Sequence, residues 1–395
     1  MEISASAELG SRALFPLLGQ SIYLNHAAIS PPSLKVREAV VRIVDDFALR
    51  GSAAFLDAVE ARSILKCQLA DLLGAPSADG SDFAWCPNTT SGVQAIAHAF
   101  PWQSGDSILL FRGEFPTNII PWQQAAQRAH LTIKWASLER LHLSGGVDWS
   151  EVETALKTGI RLVAISAVQF QTGLRVPLHE LSLLCKRYGA ALFVDGIQAC
   201  GATPIPLYEI DFMACGGHKW MMGVEGSGFL YIHPRWHQGL QPPHAGWLSV
   251  EDPLDFLFAD RSALRYDKRI RVEPSSFEGG AQSALCYAAL GASVDLLQSL
   301  GIPSIYDHIQ SLLDLLERGL LERGFQSARC KDVARRSTIL SVTPPLSKQK
   351  EISEWVAYLA AQGVVISQPD GWLRFSPHWS NDQEQIRYTL DLLSC

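Results

Sequence analysis

Short apolar runs alternate with longer amphipathic stretches along the first part of the chain. The apolar runs have the length and composition of buried strands: FAWC (83–86), SILLF (107–111), LTIKW (131–135), RLVAIS (161–166), ALFVD (191–195), DFMAC (211–215) and SGFLYI (227–232). Helical periodicity fills several intervals between them, from Gly92 to Phe100, Thr117 to Ala129 and Leu178 to Tyr188. This alternation predicts an α/β fold built on a mainly parallel sheet.

The pattern changes after Ile232, where a loop-rich stretch contains prolines at 242, 243 and 253. Mostly helical sequence follows, over Gln282 to Leu300, Ile305 to Arg323, Glu351 to Gln362 and Asn381 to Leu393, with STILSV (337–342) and WLRFS (372–376) as candidate strands. We therefore predict an N-terminal arm (1–30), a large domain (31–255) and a small C-terminal domain (256–395). The predicted helix at 31–50 could pack with the small domain.

Composition narrows the class of protein. The chain has 395 residues, of which 47% are hydrophobic and 18% charged, so it is expected to fold throughout. A net charge of −7 argues against a nucleic-acid partner. The N-terminus resembles no signal peptide, and no apolar run is long enough for a membrane helix, which predicts a cytoplasmic protein. The eight cysteines are scattered singly, so neither a metal site nor a disulfide framework is predicted.

Asp195 ends the apolar run ALFVD and is followed by Gly196. Ligands of parallel α/β sheets gather at the carboxyl ends of the strands, so this carboxylate is a candidate partner for a cofactor. Taken alone, such an aspartate is more often a turn or helix-capping residue.

Lys219 lies in the segment CGGHKWMMGVEGSGFLY. Its glycines allow the backbone to approach a ligand closely. A lysine buried in this setting deprotonates readily, which Schiff-base chemistry requires. An isolated lysine would be interpreted as a surface residue, so the hypothesis depends on the glycine-rich, apolar surroundings.

The segment from Asn88 to Gly92 follows the predicted strand FAWC and opens a predicted helix. It places hydroxyl groups and free backbone N–H groups at a helix N-terminus, an arrangement that binds phosphate. Ordinary N-capping explains the same residues equally well without the other motifs.

Taken together, these segments resemble the class V aminotransferases of pyridoxal-5′-phosphate (PLP) fold type I, which include cysteine desulfurases and isopenicillin N epimerase. The resemblance is carried by blocks in a fixed order: YLNHAAISPP (23–32), NTTSGV (88–93), GEFPTNIIPW (113–122), SAVQFQTG (166–173), LFVDGIQACG (192–201), GGHKW (216–220), SSFEGGAQ (275–282) and WLRFSPHWSN (372–381). It implies a large domain with a mainly parallel seven-stranded sheet sandwiched by helices, and a smaller α/β C-terminal domain.

The resemblance also implies roles for individual residues. Lys219 would carry PLP as the internal aldimine and Asp195 would pair with its pyridine nitrogen. The other expected cofactor contacts are Gln198 near the phenolate oxygen, Thr89 and Thr90 at the phosphate with His218 close by, Phe115 stacked on the ring, and Gln169 near its hydroxyl face. The expected substrate contacts are Arg374, which would clamp the carboxylate, together with Asn25 and Ala28.

Three departures from the family pattern affect the expected activity or assembly. Desulfurases carry a cysteine on a mobile loop before the carboxylate-binding arginine, but GVVISQPDGW (363–372) contains none. Phe115 also occupies the place of a histidine that is frequent in desulfurases, so we do not expect persulfide chemistry. Ala281 replaces a threonine that in many relatives reaches the phosphate of the neighbouring subunit. A homodimer is still expected, because SSFEGGAQ matches a segment that crosses between subunits.

The sequence leaves the reaction open. We expect chemistry at the α-carbon of an amino acid through an external aldimine. Transamination is placed slightly ahead of carbon–sulfur lyase or epimerase activity. A non-catalytic PLP fold is the less favoured alternative, because both Lys219 and Asp195 are present. A nicotinamide dehydrogenase is disfavoured, because GVEGSG (223–228) precedes a strand and opens no helix.

Overall fold

The computed structural model describes residues 6–19, 21–139, 147–259, 261–345 and 351–394. The strands are β1 (Ile22–Tyr23), β2 (Phe83–Cys86), β3 (Ser107–Arg112), β4 (Thr132–Ser137), β5 (Ile160–Ser166), β6 (Ala191–Asp195), β7 (Phe212–Gly216), β8 (Gly228–Ile232), β9 (Gln326–Ser327), β10 (Leu340–Thr343), β11 (Val364–Val365) and β12 (Leu373–Phe375). The helices are α1 (Leu34–Arg50), α2 (Phe55–Leu73), α3 (Thr89–Ala99), α4 (Ile120–Ala129), α5 (Ser150–Leu156), α6 (Leu178–Tyr188), α7 (Asp255–Phe258), α8 (Ala284–Leu300), α9 (Ile302–Glu322), α10 (Ile352–Ala361) and α11 (Gln383–Leu392).

A seven-stranded sheet with the order β2-β8-β7-β6-β5-β3-β4 forms the centre of the molecule. Strand β8 runs antiparallel to both of its neighbours, and the remaining neighbouring pairs are parallel. Every residue of β6 and β7 is buried, as expected for central strands covered on both faces. The predicted mainly parallel α/β fold is confirmed.

Helices cover the two faces of this sheet and produce two apolar clusters. One cluster includes α3 and α4 residues such as Val93 and Trp122, and the other includes residues of α2, α6, α8 and α9. Gly92 lets α3 lie directly against β7, because a Cβ at this position would stand 2.6 Å from the Cβ of Ala214. This close packing places the N-terminus of α3 beside the carboxyl end of β7.

The C-terminal part contains a three-stranded sheet, β12-β10-β9, and β1 pairs in parallel with β11. The N-terminal segment thus joins the edge of the C-terminal part. Helix α1 packs against α8, in line with the suggestion that helix 31–50 contacts residues of the 256–395 region. The domain boundaries themselves stay a prediction.

Among the described residues, no single helix is long and apolar enough to cross a membrane. Helices α8 and α9 satisfy the length and composition criteria only as a pair, and that pair is bent by 78°.

Candidate active site

The carboxyl ends of β3, β5, β6 and β7 meet at one edge of the sheet. Asp195 is the last residue of β6, and Lys219 follows β7. Phe115 follows β3, and the Lys219 Nζ lies 5.7 Å from the centroid of its ring. Phe170, beyond β5, packs edge-on against Phe115 with the ring centroids 5.3 Å apart. The topology therefore brings the residues predicted from separate motifs into one site.

Lys219 is buried, and its surroundings favour the neutral amine. Burial is the main cause that lowers the lysine pKa from 10.5 to about 8; the charge of Asp195 opposes this shift, and the charge of Arg374 adds to it. Its backbone carbonyl accepts hydrogen bonds from Ser30 Oγ at 2.6 Å and from the Met222 N–H at 2.9 Å. These bonds fix the loop that carries the amine.

Asp195 is buried at the floor of the site, where its Oδ1 accepts the N–H of Ile197 at 3.0 Å. Burial raises the pKa of this carboxyl to about 6, against the opposing effects of the Ile197 bond and the Lys219 charge. A buried carboxylate of this kind is stabilised by a cationic partner such as a protonated ring nitrogen.

Gln198 is buried one turn beyond Asp195, and both ends of its amide are bonded within the protein. Its Nε2 donates to the carbonyl of Ala27 at 3.0 Å, and its Oε1 accepts the indole N–H of Trp220 at 2.8 Å. The side chain is therefore fixed in orientation. Its contact with the phenolate oxygen of PLP stays a prediction.

The N-terminus of α3 forms the corner expected to hold phosphate. Asn88 caps the helix, with its Oδ1 accepting the N–H of Ser91 at 2.9 Å. The N–H groups of Thr89 and Thr90 belong to the first turn and have no acceptor within the helix. Thr89 Oγ1 accepts the N–H of Gly216 at 3.0 Å, which ties this corner to β7.

His218 immediately precedes Lys219 and follows β7, which Thr89 ties to this corner through Gly216. Burial lowers the pKa of its imidazole, and the charge of Lys219 acts in the same direction. The ring is therefore neutral at physiological pH, so it would contact a phosphate as a hydrogen-bonding group rather than as a cation.

Arg374 is a buried cation, only 5% exposed, with no carboxylate partner among the described residues. Its Nε donates to Ser367 Oγ at 3.1 Å, and one terminal nitrogen donates to the carbonyl of Phe170 at 2.8 Å. Burial lowers its pKa to about 10. A buried guanidinium of this kind favours an anionic ligand, as predicted for the substrate carboxylate.

Asn25 is far from Arg374 in sequence but close to it in the fold. Asn25 forms a parallel β-bridge with Ser376, which lies just beyond β12. Its Oδ1 is buried and has no hydrogen-bond partner within the described part of the chain. The N–H of Ala28 donates to the carbonyl of Asn25 at 3.0 Å, which closes a turn there. An unsatisfied buried amide oxygen is available to a ligand.

Gln169 is buried and uses its amide to hold the turn that carries Phe170. Its Nε2 donates to the carbonyl of Gly113 at 3.0 Å and also to Gln171 Oε1. Its Oε1 accepts the N–H groups of Gln171 and Thr172, at 2.8 and 2.6 Å. The predicted contact with the ring hydroxyl is not tested by these bonds and stays a prediction.

Glu114 is a site residue that the sequence interpretation missed. It accepts the backbone N–H of Ser166 at 2.7 Å and also the hydroxyl of that serine. Burial raises the pKa of this carboxyl to about 7, and the nearby charge of Asp195 contributes. The available signal was its place two residues after the apolar strand β3, at the same edge of the sheet as Asp195 at the end of β6.

Comparison with known proteins identifies the class. The profile of the aminotransferase class-V family matches residues 22–383, so the chain belongs to this family. A probable cysteine desulfurase from Chlamydia trachomatis is 33% identical over 262 residues, 65% of this chain and 62% of that protein. The match therefore spans about three fifths of that relative.

Two solved structures share the fold across nearly the whole chain. An apo cysteine desulfurase from Thermococcus onnurineus superimposes with a TM-score of 0.84 at 22% identity, covering 99% of this chain and 98% of that one. The cystine C-S lyase C-DES, in complex with cysteine persulfide, superimposes with a TM-score of 0.86 at 24% identity, covering 96% and 99%.

The family depends on PLP, and the site residues fit this cofactor. Asp195 offers a buried carboxylate to the ring nitrogen, and Lys219 offers an amine with a lowered pKa. Phe115 offers an aromatic face on the Lys219 side, and the first turn of α3 offers N–H groups to a phosphate. The chain is a PLP-dependent enzyme of the class V aminotransferase family.

Proposed function

We propose that this enzyme is a carbon–sulfur lyase that releases a thiol from a cysteine-type amino acid by elimination, without a persulfide on the protein. Sequence alone placed transamination first. The names of the relatives favour the carbon–sulfur lyase alternative over transamination. Class V enzymes that cleave this bond differ in whether a cysteine of the protein takes up the sulfur. The presence or absence of such a cysteine therefore distinguishes a desulfurase from a lyase that releases the thiol directly.

The observation that carries the proposal is the short turn between β11 and β12. It comprises residues 366–372, and Ser367 pairs with Arg374 so that the chain turns straight back. The turn contains no cysteine. The free cysteines of the described residues lie elsewhere: Cys86, Cys185, Cys200, Cys215 and Cys330 are buried, Cys286 is half-buried and Cys67 is exposed. Cys395 lies outside the described residues.

The residues of the site supply the remaining requirements of an elimination. Bound PLP supplies an electron sink for negative charge at the α-carbon. Arg374 binds the substrate carboxylate and fixes its orientation, while Phe115 covers the site on the Lys219 side. Lys219, with its pKa near 8, accepts the α-proton at Nζ. Asp195 keeps the ring nitrogen protonated. Overall, cysteine and water give pyruvate, ammonium and hydrogen sulfide.

A product analysis tests this function. The PLP-loaded protein is incubated with cysteine, and separately with cystine, and pyruvate, alanine, ammonium and sulfane sulfur are quantified. We expect pyruvate and ammonium in equal amounts, and no persulfide after alkylation and peptide mapping. Alanine accompanied by a persulfide on any cysteine would establish desulfurase chemistry instead. Amino transfer to a 2-oxo acid without sulfur release would restore the transaminase interpretation. Lys219→Ala is the inactive control.

We also propose that the enzyme is a homodimer. Helix α2 exposes apolar side chains, with Leu56 49% and Ile64 53% accessible. The same helix lines a cavity of about 420 Å³ together with Glu278 and Ala281, from the segment 275–282 that is predicted to cross between subunits. A second copy of the chain would cover this surface.

We propose a cytoplasmic location, because the described cysteines form no disulfide bonds. All seven described cysteines are free, as expected in a reducing compartment.

A further inference from the structure

We propose that Asp370 gives the site a preference for sulfur amino acids that carry an ammonium group at the far end of the side chain. The proposal rests on the carbon–sulfur lyase function and names its substrate class. It concerns the turn 366–372, where the chain has a carboxylate rather than a thiol.

The backbone of Asp370 is the first observation. Its φ is 48° and its ψ is 43°, in the left-handed region that residues with a side chain rarely adopt. Gly371 follows with a φ of 82°, so the turn already contains a residue suited to this conformation. Unusual backbone of this kind persists where the surroundings hold it, and it concentrates at functional sites.

The position of the carboxylate is the second observation. Asp370 Oδ2 accepts the side-chain N–H of Gln171 at 2.5 Å, and Gln171 Oε1 in turn accepts from Gln169. Gln169 reaches the carbonyl of Gly113, immediately before the Glu114–Phe115 pair. This chain of hydrogen bonds connects Asp370 to the wall of the site that carries Phe115.

The same wall holds the substrate-binding arginine. The carbonyl of Phe170, next to Gln171, accepts a hydrogen bond from Arg374 at 2.8 Å. Arg374 in turn is close enough to Lys219 for its charge to act on the lysine. An amino acid held between Lys219 and Arg374 therefore lies beside the wall that ends at Asp370.

Charge is the third observation. Asp370 is exposed and forms no ion pair within the described part of the chain. The carboxylate of a bound substrate neutralises Arg374, which leaves the negative charge of Asp370 at the rim. An ammonium group at the end of the substrate side chain is attracted to this charge, and a second carboxylate is repelled.

If Asp370 had only a structural role, its backbone conformation and its hydrogen bond to Gln171 would matter, but its charge would not. Asparagine tolerates the left-handed conformation as aspartate does, and its Oδ1 can accept the same hydrogen bond from Gln171. Asp370→Asn therefore removes the charge and preserves the turn. Asp370→Lys reverses the charge, and Asp391→Asn removes an exposed carboxylate from α11 as a matched control.

The test compares three S-substituted cysteines of similar length, with 2-aminoethyl, propyl and carboxymethyl groups. Each turnover consumes water and releases pyruvate, ammonium and the corresponding thiol, so kcat/KM follows from pyruvate formation. We expect the unaltered enzyme to favour the aminoethyl over the propyl compound. Asp370→Asn should reduce this ratio about threefold to fivefold, the size of one exposed charge pair, and added salt should reduce it in the unaltered enzyme.

Asp370→Lys should shift the preference toward the carboxymethyl compound, and Asp391→Asn should leave all ratios unchanged. A parallel change for all three compounds in Asp370→Asn, or an unchanged ratio, would overturn the proposal. If no compound yields pyruvate, the lyase function fails, and dissociation constants from the visible spectrum of the bound cofactor still report the same ratio. The preference is then accepted or rejected on binding alone.

Discussion

Burial displaces the pKa of each ionisable residue at the strand ends of the site. For Lys219 the displacement is downward, from 10.5 to about 8. Below this pH the amine is protonated and cannot attack an aldehyde, whereas above it the amine is neutral. We expect the rate of PLP uptake by the cofactor-free protein to rise with pH through a midpoint near 8. A stopped-flow absorbance series measures this, with Lys219→Arg as the control. A midpoint above 10 would show that Lys219 is not buried as described.

The pKa of Asp195 is shifted upward, from 3.8 to about 6 in the folded chain. The folded state therefore favours the protonated acid. The associated stability is present below pH 3.8 and is lost as the pH rises through 6, at a cost of about 3 kcal/mol. Asp195→Asn removes this loss.

Without cofactor, the Asp195→Asn variant should therefore be more stable than the unaltered protein near neutral pH, and the difference should disappear at about pH 4. Urea unfolding in phosphate-free buffer measures this. With PLP the variant should lose most turnover, because a neutral amide cannot hold the ring proton. Equal stability at neutral pH would contradict the burial of a charged carboxyl.

The sequence predicted those site residues whose position in a local motif is distinctive. Asp195 ends an apolar strand and Lys219 lies in a glycine-rich segment, so each carries a local signal. Glu114 and Asp370 carry weaker signals, because their surroundings are created by contacts with Ser166 and Gln171, which are distant in sequence. Local patterns cannot predict such contacts before the fold is known.

Helix α3 allows a capping effect to be separated from a cofactor effect. Asn88 caps α3, and Ser283 caps α8 through an equivalent bond, its Oγ accepting the N–H of Cys286 at 3.2 Å. Replacing either residue by alanine should lower the free energy of unfolding by about 1 kcal/mol.

Only Asn88→Ala should also weaken PLP binding, because the N–H groups of Thr89 and Thr90 follow it. Chemical denaturation and equilibrium dialysis give the two quantities. If Ser283→Ala weakened PLP binding equally, the effect would reflect stability alone.

The elements themselves differ in how well the sequence predicts them. The seven strands of the central sheet are short and mostly apolar, and each was predicted close to its observed bounds. Helix starts were less accurate where proline intervenes: α4 begins at Ile120 with Pro121 in its first turn, after a short turn at Pro116–Asn118. Helix α2 was not predicted. Its apolar residues lie both on the face that packs against α8 and on the exposed face, so they do not form the one-sided pattern typical of an amphipathic helix.

At the scale of the whole molecule, an exposed apolar surface on α2 indicates that the site is completed by a second copy of the chain. Helix α2, which exposes Leu56 and Ile64, also lines the cavity bordered by Glu278 and Ala281. Burying this surface against a second copy would remove apolar area from water on both chains, at roughly 25 cal/mol per Å². A two-fold interface contains each contact twice, so a charged residue introduced into it destabilises the dimer at two places.

We therefore expect a dimer by light scattering, and we expect Leu56→Glu combined with Ile64→Glu to shift it toward monomer. Leu321→Glu is the matched control, since Leu321 is 51% exposed on α9 and its replacement should leave the dimer intact. If 275–282 reaches the neighbouring site, the monomeric variant should also lose PLP and turnover together. A monomeric variant that retains cofactor and full activity would show that each chain holds a complete site. An unaltered protein that is monomeric and active would exclude the dimer altogether.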